Sequence, residues 1–125
     1  MKLFFSFLIL LMFNCDPSTG NDQERDKQEL DKLSKEIRAI ADESVCSGEY
    51  ICKYIGMGAK PCGGFWGYLI YSTSVNEEDL IAKVKKYNEM EREYNNNYSI
   101  ISDCMFVMPP EEIVCKEGKC KAVYK

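Results

Sequence analysis

The sequence predicts an α+β fold: two amphipathic helices packed on a small antiparallel sheet, stapled by about three disulfides. Three observations predict it. Two stretches carry apolar residues at helical spacing, several short β-prone runs are separated by glycine and proline, and six cysteines lie beyond residue 45.

The first helix is expected from about Gln23 to Ser44. Leu30, Leu33, Ile37, Ile40 and Ala41 recur at intervals of three and four, leaving Asp31, Lys32, Lys35, Glu36 and Arg38 for solvent. So narrow a stripe suits contact with a small sheet, with a partner helix as the alternative. Glu49 to Ile55 and Gly67 to Thr73 read as strands, and the stretch from Gly56 to Trp66 between them is rich in turn residues. Ser74 with Glu77, or Asn76 with Asp79, makes a capping signature. Leu80, Val84, Tyr87, Tyr94 and Tyr98 then follow at helical spacing, and Asn95-Asn96-Asn97 is expected to end that second helix. The last quarter alternates strand-like runs with punctuation: Asp103 to Met108, Pro109-Pro110, Glu112 to Lys116, and Lys119 to Tyr124. Glu117-Gly118 between the last two reads as a hairpin turn, which sets Cys115 opposite Cys120. Whether those two pair with each other stays open, as does strand order.

The chain begins Met1-Lys2, followed by eleven residues, Leu3 to Phe13, of which only Ser6 is polar. A membrane-spanning helix needs roughly 20 apolar residues, whereas a signal peptide needs a basic start and about 7 to 15. Residues 1–14 are therefore expected to be a signal peptide. The run stops at Asn14-Cys15 and turns polar at once, and Leu11 to Cys15 resembles a lipobox, the site at which a lipid-bearing cysteine becomes the new N-terminus. It departs from the common pattern at Met12 and Asn14. The expected organisation is a signal peptide over 1–14, a lipid-attached polar tether over 15–28, and a single disulfide-stapled domain over 29–125. The alternative is a protein secreted or periplasmic without an anchor.

The cysteine count agrees with lipidation. Seven cysteines leave one unpaired in an exported chain, and assigning Cys15 to lipid leaves Cys46, Cys52, Cys62, Cys104, Cys115 and Cys120 as an even set. Successive members are separated by five, nine, forty-one, ten and four residues, and the chain holds no histidine. That spacing lacks the paired knuckles of a zinc site, so disulfides are expected and no metal. Three cysteines precede the long central segment and three follow it. Because three is odd, full oxidation requires at least one bridge between Cys46, Cys52 or Cys62 and Cys104, Cys115 or Cys120.

Composition excludes several functions. Removing residues 1–14 leaves 15 basic against 20 acidic residues, a net charge of −5, with no basic cluster to hold a phosphate backbone. Nucleic acid is not an expected partner. The lack of histidine removes Ser-His-Asp and Cys-His hydrolases, and disulfides remove thiolate nucleophiles. Glu77-Glu78-Asp79 suits the first turn of a helix, Glu111-Glu112 follows Pro110 in an expected turn, and Gly56-x-Gly58-x-Lys60 lacks phosphate-loop spacing. No catalytic residue, cofactor or enzymatic activity is expected. The distinctive stretch is Pro61 to Tyr68, which sets Phe65, Trp66 and Tyr68 among glycines beside Cys62. These aromatics either cover a disulfide or form a platform for a partner protein or glycan.

Gly58-Ala59-Lys60-Pro61-Cys62-Gly63-Gly64, Tyr68-Leu69-Ile70-Tyr71-Ser72, Tyr87-Asn88, Tyr94-Asn95, Ser102-Asp103-Cys104 and Cys115-x2-Gly118-x-Cys120 together resemble a pattern in small cysteine-rich lipoproteins of the Bacteroidetes. The resemblance runs from about Cys46 to Val123. It implies export and disulfides, and no activity is assigned to that group. The expected function is a non-enzymatic binding or envelope-interaction module, held by its lipid at the outer membrane or cell surface. The alternative is a proteinaceous inhibitor of an exported enzyme.

Overall fold

Apolar periodicity and capping chemistry set the two helices of this computed structural model, which describes residues 18–125. The expected signal segment 1–14 and Cys15 lie outside the described residues. α1 spans Ser18–Glu43 and α2 spans Glu77–Asn97. Asn76 is the N-cap of α2, its side chain accepting the Asp79 N–H, and Glu77, Glu78 and Asp79 occupy the positive end of the helix dipole. The helices run antiparallel, and Ile37 and Ala41 of α1 meet Leu80 and Val84 of α2 in the core.

α1 starts earlier than expected, so residues 18–28 are helical and not a coiled tether. Their seam with α2 is polar. Gln23 Nε2 donates to the Tyr94 hydroxyl at 3.3 Å, the Tyr98 hydroxyl donates to Asp26 at 2.7 Å, and Asp22–Arg25 and Lys27–Asp31 pair along the helix. An apolar stripe is absent from these turns because hydrogen bonds make the contact. α2 likewise runs through the asparagine triplet to Asn97, with Tyr98 as its C-cap.

β1 (Cys52–Met57) pairs antiparallel with β2 (Gly67–Ser72), Ile55 facing Leu69 and Lys53 facing Tyr71. Alternation turns Ile55, Met57, Leu69 and Tyr71 toward the helices. β3 (Glu112–Lys116) pairs with β4 (Lys119–Val123) through a two-residue turn at Glu117-Gly118, both with positive φ as a primed hairpin turn requires. The expected single sheet is therefore two two-stranded sheets.

Such hairpins are marginal alone, and here covalent bonds join them. Cys115 does stand opposite Cys120, but the two do not pair; Cys46–Cys115 and Cys52–Cys120 tie the second hairpin to the first half of the chain. Lys119 adds a link by donating to the Asp42 and Ser44 carbonyls at the end of α1. The third bridge is Cys62–Cys104. All three cross between the cysteine sets, with Cα separations of 5.4–5.8 Å and loops of 42–69 residues. In the chain-entropy picture each such closure is worth about 4 kcal/mol, and overlapping loops make the sum smaller than its parts. That weight matters because the core is small: among the described residues, the largest side chains below 2 % exposure are Ile37, Leu80, Val84 and Ser72.

Candidate functional site

β1 ends in a stretch whose backbone has no strand to pair with. The Gly58 N–H donates to Asn88 Oδ1 at 2.7 Å, the Ala59 N–H donates to Glu91 at 2.7 Å, and Asn95 Nδ2 donates to the Ala59 carbonyl at 2.7 Å. Three polar residues on one face of α2 thus hold the strand exit. Gly58 adopts φ +91°, and a Cβ there would lie 2.9 Å from the Trp66 ring, so glycine lets the indole close over the backbone.

Lys60 follows directly, its side chain only 4 % exposed. Its ammonium lies 4.9 Å from the Trp66 ring centroid and donates to Asp103 Oδ1 at 2.8 Å and to the Met105 carbonyl at 2.7 Å. The bond from Lys60, aided by the Met105 N–H, holds the Asp103 carboxyl below its ordinary range. The buried lysine therefore reaches across the fold to grip a segment far away in sequence.

That segment is the main departure from expectation. Asp103 to Met108 is not a strand: from Ile100 to Pro110 the chain runs without strand pairing, turn or bend, and none of these residues has positive φ. Side chains replace a partner strand, with Lys60 bonding the Met105 carbonyl and the Tyr68 hydroxyl donating to the Val107 carbonyl at 3.2 Å. Pro109 and Pro110 offer no N–H for a ladder, and Pro110 is buried. Ile101, Met105, Phe106 and Met108 are 90, 74, 71 and 66 % exposed. Scattered apolar residues on a surface are ordinary, but four within eight residues of a secured segment are not.

Phe65, Trp66 and Tyr68 are brought near one another, Phe65 and Trp66 exposed and Tyr68 half-buried. Phe65 lies over Gly56 and meets Tyr68 edge to face at 6.0 Å, while Tyr68 meets Tyr54 at 5.5 Å. Trp66 and Tyr68 instead line a cavity of about 410 Å³ with Arg38, Tyr87 and Tyr124. Burial, with a hydrogen bond to Glu91, pushes the Tyr87 phenol upward. Trp66 is about half exposed at 46 %.

The acidic residues singled out from the sequence are dispersed. Glu77 accepts from Lys53 at 2.7 Å and from the Tyr71 hydroxyl, the lysine bond lowering its carboxyl pKa, while desolvation pushes the Tyr71 phenol up to about 12. Asp79 faces Lys83, and Glu111 pairs with Lys125 at the surface. The Cys46, Cys52 and Cys120 sulfurs lie within 4.8 Å of one another, yet all are in disulfides and offer no thiolate to a metal.

Sequence reasoning missed Lys60, Asp103 and the exposed run from Ile101 to Met108 as a unit. The available signal was a β-prone run with a cysteine inside it and two prolines behind it. Comparison with known proteins finds no matching family model, no matching curated protein and no matching solved structure.

Proposed function

We propose that the protein is an exported, lipid-anchored and non-enzymatic binding module, and that the segment Ile101–Met108 is its docking element for a protein of the envelope or its surroundings. One observation carries this: four large apolar side chains stand in solvent on a backbone gripped by Lys60, Tyr68 and Cys104. Ordering such a segment beforehand lowers the entropic cost of binding, whereas exposing it without a partner only invites aggregation. The leader and the cysteine count support export and the anchor at Cys15. With α1 beginning at Ser18, the three-residue step from Cys15 spans at most about 10 Å, which would hold the α1 end of the domain close to the membrane.

A photoreactive amino acid placed at Phe106 in intact cells should give a discrete protein adduct, while the same probe at exposed Lys85 on α2 should not. Equal labelling from both positions, or none from Phe106, would refute the docking role. Intact mass of wild type against Cys15→Ser tests the anchor: acyl mass is expected on the former and absent from the latter, and its absence from both would refute lipidation.

A further inference from the structure

We infer that the docking element is read as a substrate: Met105–Met108 enters the cleft of an endopeptidase that prefers large apolar side chains, and the protein inhibits that enzyme. This rests on the reading of Ile101–Met108 as the docking element and names the class of partner.

Endopeptidases take their substrates as extended chain, pairing the substrate backbone along one edge and seating alternate side chains in pockets, a form of strand addition. The segment is arranged in that way. The Met105 and Val107 carbonyls are occupied on the domain side by Lys60 and Tyr68. The Phe106 N–H and C=O between them take no hydrogen-bond partner among the described residues, and with the flanking carbonyls turned to the domain, the alternation of extended chain sets them on the opposite, free edge. Phe106 is 71 % exposed beside that free edge.

The covalent frame distinguishes an inhibitor from a good substrate. If water adds across the Phe106–Val107 peptide bond, the C–N bond breaks, the water oxygen goes to the Phe106 carbonyl carbon and both its hydrogens end on the Val107 nitrogen, leaving a carboxylate and an ammonium. Neither new end is released. Residues before the cut stay fixed at Cys104 through Cys62, and residues after it stay joined through Cys46–Cys115 and Cys52–Cys120. Held ends can rejoin or remain bound, so cleavage does not free the enzyme.

A lipid surface is the competing occupant, because the anchor would lie near one end of the molecule. The structure disfavours it. An unpaired peptide edge is costly in hydrocarbon, and the nearby first turns of α1, with Asp22, Glu24 and Asp26 against Arg25 and Lys27, carry no excess of basic residues to attract anionic headgroups.

The test incubates the oxidised protein with chymotrypsin, subtilisin and pancreatic elastase, each assayed on a small chromogenic substrate. At least one enzyme should be inhibited, Phe106→Asp should weaken the inhibition roughly tenfold or more, and Cys62→Ser/Cys104→Ser should turn the protein into a rapidly digested substrate. Any scission in the wild type should fall next to Phe106 and separate two pieces only after reduction. The inference is overturned if none of the three enzymes is inhibited, if Phe106→Asp inhibits as well as wild type, or if the side chain instead drives binding to phosphatidylcholine vesicles. A Phe106 photoadduct to a protein that is not a peptidase would overturn this inference while leaving the docking role standing.

Discussion

Lys60 does more than any other single residue to present the segment. Its ammonium contacts Asp103, the Met105 carbonyl and the only tryptophan ring at once, so Trp66 reports on the grip. Because Asp103 is titrated at a pKa below its ordinary value of 3.8, the pair's stabilisation is fully present above that value and is lost as pH falls through the lower, folded one. Asp103 is 61 % exposed, so the effect is local and does not unfold the domain. Trp66 emission should accordingly stay constant from neutral pH down to the ordinary carboxylate range and change below it, and Asp103→Asn should abolish that change. Lys60→Met should cost about 1–2 kcal/mol in a denaturant titration and remove the same acid response. An acid response that persists in both variants would assign the effect to another group.

At the scale of the element, α2 contributes two faces of different kinds. Leu80 and Val84 enter the core, while Asn88, Glu91 and Asn95 satisfy the backbone from Gly56 to Ala59. Asn88 bonds twice, accepting from the Gly58 N–H and donating to the Gly56 carbonyl. Replacing it by alanine leaves two buried backbone groups unpaired and should cost about 2–3 kcal/mol, while the exposed neighbour Asn96→Ala should stay within roughly 0.5 kcal/mol, both read from urea unfolding. The apolar face was legible from spacing alone, as were the Glu117-Gly118 turn and a helix cap at Ser74 or Asn76, of which the fold uses Asn76, because each is a local rule. The polar contacts were not. Asn95 reads in sequence as a helix terminator, and only the fold brings the Ala59 carbonyl to it. The same limit explains the run from Asp103 to Met108: its β-prone residues suit a strand, but a strand also needs a neighbour, and side chains of Lys60 and Tyr68 took that place.

For the whole molecule, the small core leaves the three disulfides to fix how the parts stand relative to one another. Parity required one bridge between the two cysteine sets; the fold makes all three of that kind. A one-to-one choice among them could not come from spacing, since each partner lies more than 40 residues away and only tertiary structure sets the distance. The docking segment contains Cys104, and its Met105–Met108 part lies between the anchors Cys104 and Cys115, so its presentation follows from the connectivity. Non-reducing peptide mapping by mass spectrometry tests that most directly. The account predicts linked peptides for Cys46–Cys115, Cys52–Cys120 and Cys62–Cys104, with no free thiol among the six; a Cys115–Cys120 link, or free Cys62 and Cys104, would contradict it.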